Sequence, residues 1–277
     1  MSADSGRATT RMRIAAIQML STPTAAANLA SAAALIAEAA AQGAQLVALP
    51  EFFAAIDADA ATRAVMREAF AAGPLQDFLA AAAQRHGLWL IGGSLPLSAD
   101  APALQRNSCL VFNPDGACVV RYDKAHLFSF CCAGESHDEG DIIEAGPAAP
   151  VVFDAPCGRV GLGICYDLRF PELFRAMGEI DLLALPAAFT AVTGRAHWRV
   201  LLRARAIENQ CYVLAAAQGG RHASGRRTWG RSMIIDPWGK VLACREEDGP
   251  GVVVADFDAA VLRKVRSRLP ALRHRRL

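Results

Sequence analysis

Two four-residue turns constrain this fold more than any other feature of the sequence. Asn113-Pro114-Asp115-Gly116 separates apolar runs at 108–112 and 117–122, and Asp236-Pro237-Trp238-Gly239 separates runs at 232–235 and 240–244. Each reads as a β-hairpin, because Pro fixes φ, Asn or Asp bonds to its own backbone, and Gly tolerates a left-handed conformation. Elsewhere the pattern alternates. Strands are expected at 13–19, 45–49, 88–92, 151–153, 159–164, 181–185, 211–217 and 251–256, with helices at 24–42, 75–85, 171–177, 196–209 and 259–267. Thr22 or Thr24 would cap the first helix, and Gly87 would close the second. Alternation alone would suit one parallel sheet, but the hairpins demand antiparallel pairs as well. The expected class is therefore α/β with mixed sheets, two of them face to face with helices outside. A single doubly wound sheet is the alternative.

Composition narrows the function. The 277 residues suit one large domain, expected over 12–268, with a polar, disordered tail at 1–11 and a C-terminal tail at 269–277. A net charge of +2 argues against nucleic acid or membrane as the main partner. The basic cluster at 263–276 reads as a solvated tail or a subunit contact before a nucleic-acid patch. No run approaches the ~18 uninterrupted apolar residues of a membrane span. Of 8 cysteines, Cys109, Cys118, Cys165, Cys211 and Cys244 lie in apolar strand-like runs, and there is no CxxC. Such residues behave as small hydrophobes, so the reading is a reducing cytoplasm. The vicinal Cys131-Cys132 is read as two ordinary loop cysteines ahead of redox or metal chemistry. Gly161-Leu162-Gly163 lies inside a strand and lacks the third glycine of a dinucleotide fingerprint. No metal and no cofactor are expected.

The chemistry collects at strand ends. Gly161 to Ile164 form an apolar strand that stops at Cys165, followed by Tyr166-Asp167-Leu168-Arg169 and a helix beginning near Pro171. A cysteine at the carboxyl end of a strand sits where α/β folds build sites, and nearby backbone N–H groups favour a thiolate and a developing oxyanion. On this segment alone, nucleophile and buried core cysteine are equal readings. A nucleophile needs a base, and none of the 6 histidines sits in a pairing motif. Glu51 directly follows the apolar Leu46-Val47-Ala48-Leu49-Pro50. Lys124 follows another strand, where a solvated lysine is the default but an ammonium beside a thiol would lower its pKa and hold an oxyanion.

Three segments, Leu49-Pro50-Glu51-Phe52, Tyr122-Asp123-Lys124-Ala125-His126-Leu127 and Gly163-Ile164-Cys165-Tyr166-Asp167-Leu168-Arg169-Phe170-Pro171-Glu172-Leu173, resemble the signatures of the nitrilase, or carbon–nitrogen hydrolase, superfamily, in its order. The resemblance runs over nearly the whole chain. It implies an α-β-β-α sandwich and a Glu-Lys-Cys triad without a cofactor. Glu51 would be the general base, Lys124 the oxyanion stabiliser, and Cys165 the nucleophile that forms a thioester. The backbone N–H of Tyr166 would complete the oxyanion hole. An accessory glutamate implied by the family is assigned to Glu139, with Glu135 and Glu144 as rivals.

The last third resembles the family's Nit subfamily through Ala188-Phe189-Thr190-Ala191-Val192-Thr193-Gly194, Ala196-His197-Trp198 and the Ala215-Ala216-Ala217-Gln218-Gly219-Gly220-Arg221-His222 run. That branch implies the amide of a small 2-oxo acid as substrate, deaminated glutathione first, with the ω-amidase substrates 2-oxoglutaramate and 2-oxosuccinamate as the alternative. A carbamoylase, a nitrilase or a non-catalytic binding protein on the same fold are further alternatives. Arg169 would bind the substrate carboxylate unless it pairs with Glu172 or Asp167. Phe189 and Thr190 would line the pocket, and Arg221 or His222 would reach the far end of a long substrate. The segment 129–137 departs from the subfamily pattern, which puts substrate length in question. The resemblance also implies a homodimer or higher homo-oligomer, with 269–277 at the subunit interface.

Overall fold

The computed structural model describes residues 11–132 and 135–276, without the side chains of 131, 132 and 135–137. The first half runs β1 (Arg11–Gln18), α1 (Ala25–Ala41), β2 (Leu46–Ala48), α2 (Ala60–Met66), α3 (Pro74–His86), β3 (Trp89–Ile91), β4 (Leu95–Ser98), β5 (Gln105–Phe112) and β6 (Cys118–Asp123). A small hairpin, β7 (Ser129–Cys132) and β8 (Glu135–Asp138), leads into the second half. There follow β9 (Val152–Ala155), β10 (Gly158–Leu162), α4 (Pro171–Ala176), β11 (Leu182–Ala187), α5 (Ala191–Asn209) and β12 (Tyr212–Ala217). The chain ends with β13 (Gly219–Arg221), β14 (Arg227–Trp229), β15 (Met233–Ile235), β16 (Val241–Cys244), β17 (Gly251–Asp258) and α6 (Ala259–Arg268).

Two mixed sheets result. One has the order β17-β1-β2-β3-β5-β4, with β6 on β5; the other has the order β16-β15-β12-β11-β10-β9. In each, three central strands are parallel and the rest are antiparallel. Period-two alternation explains the layering. Ile14, Ala16, Leu46, Ala48, Cys109 and Val111 face Val160, Leu162, Tyr212 and Leu214 between the sheets. Ala15, Ile17, Val47, Leu90 and Leu110 face outward onto Leu35 and Ile36 of α1 and Leu79 of α3. Each such Leu or Ile contributes about 1.5–3 kcal/mol when fully buried. This is the expected α-β-β-α arrangement, and the single doubly wound sheet is set aside.

Both hairpins form as the turns dictate. Gly116 takes φ +80° and donates to Asn113 O at 2.9 Å; Gly239 takes φ +83° and donates to Asp236 O at 2.9 Å. Gly87 closes α3 in the left-handed conformation. Thr24 stands at the α1 N-cap but makes no side-chain cap bond; the Asn28 amide holds Thr22 instead. α5 starts at Ala191, five residues earlier than 196, because Thr190 Oγ1 accepts from Thr193 N. Segment 129–137, expected as a loop, is largely the β7–β8 hairpin. The expected N-terminal tail lies outside the described residues apart from Arg11, which opens β1. The side chains of Cys131 and Cys132 lie outside them too. No helix among the described residues is long and apolar enough to cross a membrane.

The backbones of the two sheets also meet at a seam. Just past the ends of β1 and β12, Met19 and Gln218 form an isolated parallel bridge from one sheet to the other. Met19 N donates to Ala217 O at 3.3 Å and Gly219 N donates to Met19 O at 2.9 Å.

Candidate active site

Glu51 leaves β2 at its carboxyl end and is 1% exposed. Its turn is tight: Phe52 takes φ +55°, and a Cβ on Gly93 would lie 2.2 Å from Pro50 O. Asn107 Nδ2 donates to Glu51 Oε1 at 3.0 Å, and Gln218 Nε2 donates to Glu51 O at 3.0 Å. Lys124, just past β6, is also 1% exposed, and its backbone N–H donates to Asn107 O at 2.9 Å. Its ammonium reaches Glu51 Oε1 at 2.8 Å and both oxygens of Glu139, at 2.9 and 2.7 Å. Glu139 is fixed from the other side, since its carboxylate accepts from Phe128 N at 2.8 Å and its own N–H donates to Phe128 O at 2.9 Å. Of the rivals, Glu144 accepts from Ala101 N and Arg106, away from the lysine. The Glu135 side chain lies outside the described residues.

Cys165 comes from the second sheet, three residues past β10. It adopts φ +49°, unusual for a side chain with a Cβ, at a cost on the order of 1–2 kcal/mol. The turn is held by Asp167, which is fully buried and accepts from Ile164 N at 2.8 Å, Tyr122 Oη at 2.7 Å, and His126 N and Nδ1 at 3.1 and 2.7 Å. Asp167 thus ties the cysteine turn to the end of β6, where Lys124 sits. Cys165, Glu51 and Glu139 border one narrow cleft with Arg169, Phe189 and Thr190. The backbone N–H of Tyr166 follows the thiol directly.

A family model, carbon–nitrogen hydrolase, matches residues 13–267. The chain belongs to that family. It is 42% identical to a deaminated glutathione amidase of Synechocystis over 94% of this chain and 97% of the relative. It is 38% identical to an ω-amidase of Xenopus tropicalis, over 96% and 95% of the two chains. Among solved structures, the Caenorhabditis elegans NitFhit protein superposes with a TM-score of 0.86 at 36% identity, over 97% of this chain; the chain spans 66% of that longer protein. This protein is thus a hydrolase of carbon–nitrogen bonds other than peptide bonds.

The electrostatics of this hydrolase follow from one ammonium set between two carboxylates in a dry site. Burial works against the charged form of Lys124, but Glu139 and then Glu51 outweigh it and its pKa is raised. Burial raises the Glu139 carboxyl, against the pull of Lys124. Burial above all, then the charge on Glu51, hold the Cys165 thiol well above its ordinary value, with Lys124 opposing. The resting thiol is therefore protonated. Attack on a carbonyl carbon needs a base at hand, and Glu51 is the carboxylate whose charge acts most on the thiol.

Arg169 makes no salt bridge with Glu172 or Asp167 among the described residues. Its guanidinium lies over the rings of Tyr166 and Phe189, at 5.6 and 5.4 Å, and Nη1 is 3.2 Å from His197 Nδ1. That leaves donors for an anion. Phe189 packs on Trp198, and Thr190 both caps α5 and borders the cleft. Arg221 is exposed, while His222 turns inward to Ser21 O and Thr228 Oγ1, so neither borders the cleft; Arg226 does. Asn107, Asp167, Gln218 and Arg226 had no assigned role in the sequence reading. Asn107-Ser108 lies in the polar first half of β5, after Gln105-Arg106, so nothing in the sequence marks Asn107 as a buried residue in need of a partner.

Proposed function

We propose that this hydrolase is a cysteine amidase whose substrate is the amide of a small 2-oxo acid, deaminated glutathione first. The observation that carries the reading is the Lys124 ammonium bonded to both Glu51 and Glu139, two carboxylates that border one cleft with Cys165 and with an Arg169 that has no carboxylate partner among the described residues. Glu51 takes the thiol proton as sulfur attacks the carbonyl carbon. Lys124 and the Tyr166 N–H receive the oxyanion. The proton passes from Glu51 to the departing nitrogen, the amine leaves, and a thioester remains. Glu51 then takes a proton from water, hydroxide adds to the thioester, and as the acid leaves the proton returns from Glu51 to sulfur, restoring the thiol and the carboxylate. Glu139 holds the lysine in place.

Arg169 would hold the 2-oxo acid carboxylate at the end away from the scissile bond, with Phe189 and Thr190 shaping that side. The ω-amidase reading stands second, because 2-oxoglutaramate carries the same acid and lacks only the peptide leaving group. An intact set of ionisable groups counts against a non-catalytic binding protein. We further propose one domain over 12–268, a cytoplasmic setting in keeping with the free thiols, and a homodimer. Exposed Val200, Ile207 and Trp238 on and beside the outer face of α5 supply apolar surface for such a contact, and the basic C-terminal segment is a further candidate.

The test is a comparison of kcat/KM. Deaminated glutathione and 2-oxoglutaramate are followed by 2-oxoglutarate release, and an N-carbamoyl amino acid and an aliphatic nitrile by ammonia release. Deaminated glutathione should lead and 2-oxoglutaramate should come second. A faster carbamoyl compound or nitrile would overturn the proposal.

A further inference from the structure

The narrow cleft at Cys165 holds about 280 Å³ of empty space and adjoins a larger one of about 940 Å³. Phe128, Glu139 and Arg226 border both. Three buried side-chain atoms among the described residues have no hydrogen-bond partner: Asn107 Oδ1, Gln210 Oε1 and Arg226 Nε. Two of these three belong to residues that border the larger cavity. A polar atom buried without a partner costs on the order of 1–3 kcal/mol, so two beside one cavity call for an explanation.

Their chemistry is complementary. Asn107 Nδ2 donates to the Glu51 carboxylate, which only accepts; this fixes the amide so that Oδ1 is the free acceptor. Among the described residues Arg226 makes one ion pair, Nη1 to Asp57 Oδ1 at 3.2 Å, and its Nε donor has no partner. Asp57 also accepts from Ser224 Oγ, which anchors the loop carrying Arg226 between β13 and β14. The carboxylates bordering the cavity are already engaged: Glu139 by Lys124, Asp57 by Arg226, and Asp138 by Gly140 N. Arg169 borders only the narrow cleft and Arg226 borders both; Arg63 also borders the larger cavity, where its Nη1 donates to Ala58 O.

We infer that the larger cavity receives the leaving group, that Arg226 binds a carboxylate on it, and that Asn107 accepts an N–H from it. The ligand class is an amine of peptide type that ends in a free carboxylate. This rests on the amidase reading and deepens it: the preferred substrate is anionic at both ends, one end on Arg169 and the other on Arg226.

The experiment compares deaminated glutathione with its glycinamide form, which keeps the scissile bond and lacks the terminal negative charge. The readout is the ratio of the two kcat/KM values. In the wild-type protein the ratio should favour the free acid by about tenfold or more, in line with one lost charge-assisted hydrogen bond. Arg226→Gln should bring the ratio to within about twofold of one, and Arg226→Lys should retain part of it. A fold defect lowers both rates together and leaves the ratio alone. A wild-type ratio near one, or an unchanged ratio in Arg226→Gln, overturns the inference and leaves the amidase reading standing; if the variant does not fold, the wild-type ratio decides. If the wild-type protein releases no 2-oxoglutarate from either compound or from 2-oxoglutaramate, the amidase reading falls, and the inference with it.

Discussion

Cys165 and Cys211 flank parallel strands of the same mixed sheet, and both are buried. Cys165 lies beyond the carboxyl end of β10, and Cys211 lies just before the amino end of β12. Burial is the first cause that raises both thiols, well above the ordinary range for Cys165 and up to about 12 for Cys211. A low resting pKa therefore does not mark the proposed nucleophile. What differs is the company. Cys165 has Glu51, Lys124 and Glu139 acting on it, whereas Arg266, Asp181 and Glu208 act on Cys211. Cys165 also holds a left-handed backbone that Cys211 has no need of. The end of the strand, and what the opposite sheet presents there, separates the core thiol of Cys211 from the proposed nucleophile Cys165.

The largest expected effect breaks the pair apart. Cys165→Ala should remove at least about 10⁴-fold of the turnover while the protein stays folded, as expected for a covalent nucleophile. Cys211→Ala should keep kcat within a few-fold and cost about 1 kcal/mol of stability. Side-by-side rates and urea melts check this; comparable turnover in the two variants would end the assignment. Glu51→Gln comes next, with a loss of about 10²–10⁴-fold in kcat. Removing that charge should also shift the pH midpoint of Cys165 alkylation downward, because Glu51 raises the thiol pKa. Alkylation and turnover should thus move in opposite directions; a midpoint that rises would remove Glu51 from contact with the thiol. The smallest effect is on stability at high pH. The folded chain keeps a proton on Cys211 that the unfolded chain gives up near 9, so this contribution is present below about pH 9 and lost between 9 and about 12. The slope is at most about 1.4 kcal/mol per pH unit per thiol. Cys211→Ala should flatten the fall of Tm above pH 9, and an unchanged slope would show that Cys211 ionises freely in the folded state.

How much the sequence disclosed depends on the range of the interactions. Asn113-Pro114-Asp115-Gly116 and Gly87 act within a few residues, and their turns and caps form where local chemistry puts them. Short elements escaped notice. β4 contains Pro96 and β13 begins with Gly219-Gly220, residues of poor strand propensity that pairing across the sheet overrides. α2 has no buried residue and so no apolar face to read. Glu51 and Cys165 stood out because each follows an apolar run, Lys124 follows an expected strand, and the resemblance joined the three. Arg226 did not, since its ion-pair partner is 169 residues away and nothing in Gly225-Arg226-Arg227 distinguishes one arginine from the next. Arg169 was legible as a cation but not as one held between two rings.

The Met19–Gln218 seam bears on how such a protein can vary. Gln218 donates from one amide to Ser21 Oγ and to the Glu51 carbonyl, and accepts from Ser21 N, so the joint between the sheets and the position of the proposed base share a fastening. Insertions at hairpin tips leave that joint alone, whereas a one-residue slip of β12 would carry the fastening off Glu51. Tolerance to change should therefore be graded by distance along the strands from this joint, and lineages should diverge at the rims while the joint keeps its length.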